Sequence, residues 1–399
     1  MQSPNFGVVE ETAVTAPVVT IVIPCLNEAE TLATVIRKTA AGLVRQGIHG
    51  EIIVADNGST DGSQAIARAE GATVVPVPQR GYGAALHGGI SVAQAPYVVM
   101  GDADDSYDMA AIDPFLERLR AGADVVMGNR FAGRIMPNAM PWLHKWLGNP
   151  VLSWLGRTLF GSSVGDFHCG LRAFTKDAWT AMKLQTSGME YASEMVIKAA
   201  LFGMRIDEVP ITLYKDGRSR PPHLRTWRDG WRHLRFMLAY APNWVLLTPG
   251  IVLAFLGAAV MLWLLPGAQH IGAIELDINT LTVAAAVLLF GVQLALFGML
   301  AKKYMIASGL LPESARFAKI NANLTLEAGL VTGLLLFIVG VGVIARVFVG
   351  WQSIGFAELD PSQSARQTIV GAVALILAGQ VGFTSLFMSI LGLNFRARE

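Results

Sequence analysis

The sequence predicts an α/β domain with a parallel sheet, followed by an all-helical transmembrane domain of four helices. Three observations lead there. Hydrophobic residues make up 53% of the chain and charged residues only 15%, well under the roughly one quarter usual in soluble domains. The apolar excess gathers in four stretches near 245–264, 281–301, 328–349 and 368–391, each close to the ~20 residues that a helix needs to cross the hydrocarbon layer. Ahead of them, β-branched runs alternate with turns and helix-like segments, the pattern of strand and helix units stacked into a parallel sheet covered on both faces.

Taken in order, Val18 to Ile23 is a β-branched run closed by Pro24, and Glu28 to Ala41 has helical composition. Glu51 to Ala55 is a second strand, ending in Asp56-Asn-Gly-Ser-Thr-Asp-Gly62 with another helical stretch behind it. Thr73–Val77, the helix-like Ala84–Ala93 and the strand Tyr97–Met100 follow. The four apolar stretches lack a polar face, which argues against buried helices of a soluble protein. Boundaries follow: a polar segment 1–17, an α/β domain 18–212, a basic loop and amphipathic helix 213–242, a membrane domain 243–393 and a tail 394–399.

Loop charges orient the spans. Leu265 to Thr280 has no Lys or Arg and holds Glu275 and Asp277, whereas the second connection carries Lys302, Lys303, Arg316 and Lys319, and the tail adds Arg396 and Arg398. By the positive-inside rule both termini face the cytoplasm. Arg366 in the third connection breaks the pattern, and Arg346 sits near a helix end, where it can snorkel. Met1 to Pro17 is polar and acidic, with no basic-then-apolar presequence, so the α/β domain is expected to stay in the cytoplasm. Cys25 and Cys169 are too few for a disulfide framework.

Ligands of such sheets collect at the carboxyl ends of the strands. Asn27 and Glu28 follow the first strand, and Asp56 ends the second, where it can accept hydrogen bonds from a ribose or base. After Tyr97–Met100 come Asp102, Asp104, Asp105 and Asp108 within seven residues. So many carboxylates together require a cation, and hard oxygen ligands favour Mg²⁺ or Mn²⁺ with substrate phosphates. The segment lacks the Gly and Glu of a helix-loop-helix calcium loop. In Arg80-Gly-Tyr-Gly-Ala-Ala85, backbone N–H groups and Arg80 can approach a phosphate. Neither the dinucleotide fingerprint nor the Lys-bearing phosphate loop is present, which excludes those dehydrogenase and ATPase classes.

Val22-Ile-Pro-Cys-Leu-Asn-Glu28, Ala55-Asp-Asn-Gly-Ser-Thr-Asp-Gly62, Arg80-Gly-Tyr-Gly-Ala-Ala-Leu86, Asp102-Ala-Asp104 and Asp166-Phe-His-Cys-Gly-Leu-Arg-Ala-Phe174 occur in this order. Over about residues 18–240 the chain thereby resembles family 2 glycosyltransferases, and within them the polyprenyl-phosphate hexose synthases, the group of dolichyl-phosphate mannose synthase. The resemblance implies a GT-A fold. It also implies a donor site at Pro24, Asn27, Glu28, Asp56, Arg80, Gly81, Asp102, Ala103 and Asp104, with Asp102 and Asp104 holding a divalent ion on the diphosphate. Arg130 and Arg172 match basic positions near the acceptor phosphate. Ser106 stands where some synthases carry Gln. The implied reaction is inverting transfer of one hexose to polyprenyl phosphate, with UDP-glucose favoured as donor and GDP-mannose the alternative.

The acceptor end agrees. Lys215, Arg218, Arg220, Arg225, Arg228, Arg232 and Arg235 face only Asp216 and Asp229, and Trp227, Trp231, Leu234 and Leu238 recur at helical spacing. Such a helix lies in the headgroup layer beside membrane lipids. Arg218 and Arg220 are candidates for a loop closing over phosphates and for further contacts to the acceptor phosphate. One short basic segment beside a membrane span is not a nucleic-acid surface. Glu190 and Glu194, four apart, share a helix face and can contact sugar hydroxyls, act as a base, or orient neighbouring arginines. A processive polysaccharide synthase would carry Gln-x-x-Arg-Trp, absent here, and a transporter would carry ionisable groups within its spans. A non-catalytic membrane scaffold is the remaining alternative. Gly329 to Gly333 offers a small-residue face that can pack within a protomer or between protomers of a homo-oligomer.

Overall fold

Strand and helix alternate from the first β-branched run onward: β1 (Val19–Cys25), α1 (Leu32–Arg45), β2 (Gly50–Asp56), α2 (Ser63–Ala69), β3 (Thr73–Pro76), α3 (Tyr82–Val92), β4 (Tyr97–Met100), α4 (Asp113–Arg120), β5 (Val125–Ile135), α5 (Asn149–Phe160), β6 (Arg172–Thr175), α6 (Lys176–Met182), α7 (Glu190–Leu201), β7 (Ile206–Leu213) and α8 (Thr226–Ala239). Beyond them lie α9 (Thr248–Leu264), a hairpin of β8 (Gln269–Ile271) and β9 (Ile274–Leu276), α10 (Ile278–Ala307), α11 (Ala315–Asn323), α12 (Leu326–Ser353) and α13 (Pro361–Leu391). This computed structural model describes residues 16–219 and 226–392, and the chain divides into two units, Met1–Met237 and Leu238–Glu399.

In the first unit seven strands form one sheet in the order β3-β2-β1-β4-β6-β5-β7. The fold is therefore an α/β, Rossmann-like domain of the GT-A kind. Ile21, Val22 and Ile23 of β1 are all fully buried, as expected of a central strand covered on both faces. One face packs on Leu32, Val35 and Ile36 of α1 and on Phe115 and Leu116 of α4. Not every strand is parallel, however. β6 runs antiparallel to both β4 and β5. Its reversal matters for the site, because Arg172, the first residue of β6, pairs with Met100 at the carboxyl end of β4. The loop before β6 is thus delivered to the edge where β1 and β4 end, and the strand order reverses between those two strands. That crevice is where open α/β sheets bind ligands.

Among the described residues, the second unit holds four helices long and apolar enough to cross a membrane: Asn243–Leu264, Ile278–Ala307, Leu326–Ser353 and Pro361–Leu391. α10 packs against α9 and α13, and α13 packs against α12. Glycines set these approaches. A Cβ on Gly257 would lie 2.4 Å from the backbone nitrogen of Leu288, and one on Gly291 only 2.2 Å from that of Ala254. Gly329 and Gly333 face Ser385 and the Ala378 carbonyl of α13, so this small-residue face is used within the protomer. Arg366, out of line with the charge pattern of the loops, is buried, ion-paired with Asp277 and bonded to the Leu264 carbonyl. Its charge is neutralised within this unit.

Candidate active site

On the donor side, Asp104 Oδ1 accepts from the Ser106 hydroxyl at 2.6 Å and from its N–H at 3.1 Å. Asp104 Oδ2 accepts from Arg218 at 2.6 Å, and the same guanidinium reaches Glu28 Oε1 at 3.1 Å. Expected at the acceptor phosphate, Arg218 instead pairs with Asp104 and Glu28, two residues expected at the donor. The loop bearing it is anchored by Gly217 N–H to the Asp104 carbonyl at 2.9 Å and by Ser219 to both carboxylate oxygens of Glu30. Arg220 lies outside the described residues. Asp102 is half-buried, and burial, reinforced by the charge of Asp104, pushes its carboxyl up to about 6. The Tyr82 hydroxyl donates to Asp102 Oδ1 at 3.0 Å and pulls the other way. Beneath it, a Cβ on Gly170 would lie 2.5 Å from Asp102 Oδ2.

Several residues expected at the donor already have hydrogen-bond partners within the protein. Asn27 takes a left-handed backbone, φ 58°, and its side-chain oxygen accepts from Thr60 N–H at 2.8 Å. Asp56 is buried and accepts from Gly58 and Ser59 N–H and from Gln64 Nε2 at 2.6 Å. Pro24 is half-buried, and Ala103 is buried with its carbonyl accepting from Thr31. Arg80 is exposed. The N–H groups of the glycine-rich turn, expected to meet a phosphate, are already engaged. Gly81 donates to Asn57 Oδ1 at 2.7 Å, Gly83 to Gly188 and Ala84 to Ser187 carbonyls. The glycines serve close packing: a Cβ on Gly81, at φ +136°, would sit 2.1 Å from the Ser187 oxygen.

On the other side, Arg130 makes a two-pronged pair with Asp166, Nε to Oδ2 at 2.6 Å and Nη2 to Oδ1 at 2.7 Å. Burial works against the charge of Arg130, but its bonds to Asp166 outweigh that and keep it protonated. Arg130 also lines a cavity with Phe131, Gly133, Ile135, Lys145 and Trp146. Arg172 is different. It is fully buried and donates to the carbonyls of Cys169 at 2.7 Å, Phe167 at 3.0 Å and Ala192. As placed, it braces the 166–170 loop and presents no surface to an acceptor phosphate. Glu194 is likewise fully buried, bonded to Lys198 at 2.8 Å and to the Gln185 and Thr186 N–H groups. It caps the 185–188 loop and is not disposed as a base. Glu190 pairs with Arg232 of α8 at 2.8 Å, the orienting role among those open to it.

The description "Glycosyl transferase family 2" matches residues 20–179, and "Glycosyltransferase family 2 C-terminal transmembrane region" matches residues 299–392. A low-salt glycan biosynthesis hexosyltransferase of Haloferax volcanii is 34% identical over 381 residues, covering 94% of this chain and 90% of the relative. The chain belongs to glycosyltransferase family 2. A dolichyl-phosphate hexose transferase of the same organism is 34% identical over 164 residues, 40% of this chain and 68% of that protein. Among solved structures, glucosyl-3-phosphoglycerate synthase of Mycobacterium tuberculosis with Mn²⁺ and UDP-glucose aligns with TM-score 0.44 at 23% identity, covering 60% of this chain and 83% of that one.

This transferase is a multi-pass membrane protein with a cytoplasmic catalytic domain. Around its Arg130 side lies a surface absent from the sequence expectations. Trp142, Trp146, Leu147, Val151 and Trp154 are exposed along α5 and the turn before it, Trp142 at 72%. The inner face of α5 holds the 166–170 loop, Ser153 Oγ accepting from Phe167 N–H at 3.2 Å and Gly156 lying on the Phe167 ring. α8 is two-faced as expected. Trp227 is 79% exposed, while Asp229, His233 and Met237 form the packed stripe.

Proposed function

We propose that this transferase moves one hexose, with inversion, from UDP-glucose to a polyprenyl phosphate at the cytoplasmic face of the membrane. The observation that carries the reading is the cavity between Arg130, Lys145 and Trp146. It joins two cations to an apolar wall beside an exposed tryptophan face, which suits a phosphate carried on a lipid, tryptophan being enriched at membrane–water interfaces. The hexosyltransferase and dolichyl-phosphate hexose transferase names of the relatives support the sugar class and the acceptor.

Asp102 and Asp104 fit Mg²⁺ or Mn²⁺: both are hard oxygen donors, and the burial and neighbouring Asp104 charge that raise the Asp102 carboxyl are costs that a cation offsets. Bound there, the ion would stabilise the leaving diphosphate. Arg218, which pairs with Asp104, would neutralise the same diphosphate once released from that carboxylate. The acceptor oxygen forms its bond to the anomeric carbon as the carbon–oxygen bond to the nucleotide breaks, and the electron pair leaves with UDP. A phosphomonoester has its second pKa at about 6 and is largely ionised near neutrality, so no general base is required. Arg130, held by Asp166, and Lys145 would orient it.

The test is sugar transfer by the full-length protein in liposomes, with radiolabelled UDP-glucose or GDP-mannose, undecaprenyl or dolichyl phosphate, and Mn²⁺ or Mg²⁺. Metal-dependent label from UDP-glucose in a lipid phosphate is expected. Label from GDP-mannose alone would replace the donor, and donor binding without any lipid product would overturn the acceptor.

A further inference from the structure

The 166–170 loop is gripped from several sides, and one grip lies on the helix that precedes the first span in sequence. His233, on the packed stripe of α8, shares a hydrogen bond with Ser193 Oγ of α7 at 2.9 Å, and both residues are buried. Its ring meets that of His168 edge-on, with centroids 5.0 Å apart. His168 Nε2 is buried without a hydrogen-bond partner, and its ring packs on His233 and, at 6.5 Å, on Phe167. The residue before His233, Arg232, pairs with Glu190, three residues before Ser193. The neighbour of Ser193, Ala192, supplies a carbonyl to Arg172, whose other donors hold Phe167 and Cys169 on each side of His168. The same loop contributes Asp166, the partner of Arg130.

We propose that His233 is a positioning residue: by tying α8 to Ser193 and His168, it holds the 166–170 loop in the register that aims Arg130 at the acceptor. None of the donor-side contacts at Asp102, Asp104, Glu28 or Arg218 involves this tie. Gly170, at the far end of the same loop, lies against Asp102, but His233 packs at His168, nearer Asp166 and Phe167, so a change at His233 acts first on the acceptor side. The inference rests on the acceptor role given above to Arg130.

Three variants test it: His233→Leu, which keeps volume and removes the hydrogen bond; His233→Asn, which restores a polar group near the Nδ1 position; and Ser193→Ala. Losing a buried hydrogen bond of ordinary strength predicts an acceptor KM raised about tenfold in His233→Leu. The donor KM and kcat should stay within about twofold, His233→Asn should recover most of the loss, and His233→Leu with Ser193→Ala should be no worse than either alone. Equal effects on donor and acceptor constants, no rescue by Asn, or additive losses would each overturn the proposal. Hydrogen exchange of residues 166–172 in the same full-length variants needs no substrate. Faster exchange in His233→Leu and Ser193→Ala, but not in His233→Asn, is expected, and unchanged exchange would overturn the tie even if the acceptor proved to be another molecule. Conversely, wild-type protein that makes no lipid product would overturn the acceptor reading while leaving the exchange result to decide the role of His233.

Discussion

Replacing Tyr82 by Phe removes one oxygen atom and, with it, the 3.0 Å hydrogen bond to Asp102 Oδ1. That bond favours the ionised carboxylate, against burial and the charge of Asp104, which together hold the carboxyl up at about 6. A hydrogen bond to a charged acceptor contributes ~1.5–3 kcal/mol, and one pKa unit corresponds to ~1.4 kcal/mol. The Asp102 carboxyl should therefore rise by about one to two units in Tyr82→Phe. Ionised Asp102 is the form that can hold a cation, so activity falls as the pH drops through this pKa, and the variant should lose activity at a higher pH than wild type. The assay is kcat/KM for the donor from about pH 5.5 to 9, since that ratio reports ionisations of the free enzyme. Expected are an acidic limb displaced upward by at least one unit and near-wild-type rates on the alkaline side. Superimposable limbs, or a uniform loss at all pH values, would refute the reasoning.

Asp102→Asn should abolish transfer yet raise thermal stability. The Asp102 carboxyl titrates higher when folded than when unfolded, so the folded wild type loses stability as pH rises from about 4 through 6; the gain in melting temperature should be present above pH ~6 and vanish near pH ~4. Gly170→Ala places a Cβ 2.5 Å from Asp102 Oδ2, and should reduce donor turnover and metal affinity together, read by calorimetric Mn²⁺ titration. Lys145→Ala should raise the acceptor KM about three- to tenfold at low salt, with the difference shrinking as salt screens the phosphate, and leave the donor KM unchanged. Asp166→Ala leaves Arg130 buried without its carboxylate and should destabilise the domain by about 3–5 kcal/mol, measured by thermal unfolding, with loss of acceptor use.

Much of this was legible because it depends on local properties. Apolar length reports a membrane span residue by residue, and all four expected stretches fall within the helices Asn243–Leu264, Ile278–Ala307, Leu326–Ser353 and Pro361–Leu391. The β-branched run Val18 to Ile23 and the expected strand Tyr97–Met100 correspond to the central strands β1 and β4, and the carboxylates following them lie at the reversal of strand order because topology puts them there. The exposed face of Trp142, Trp146, Val151 and Trp154 also carried a signal, an approximate helical spacing, but Pro141, Gly148 and Pro150 interrupt it.

Sequence by itself thus determined the class of the protein, its strand-end carboxylates and its membrane helices, since hydropathy and periodicity are properties of neighbouring residues. Tertiary structure alone decided which charged groups are free to act. Arg130 and Arg172 look alike in sequence, yet one is held by Asp166 at a cavity and the other is consumed by three carbonyls. Glu194 is spent on a loop, and Arg218 reaches Glu28 across 190 positions. A charged side chain takes its role from the partner that compensates its burial, and that partner is chosen by contacts between residues far apart in the chain.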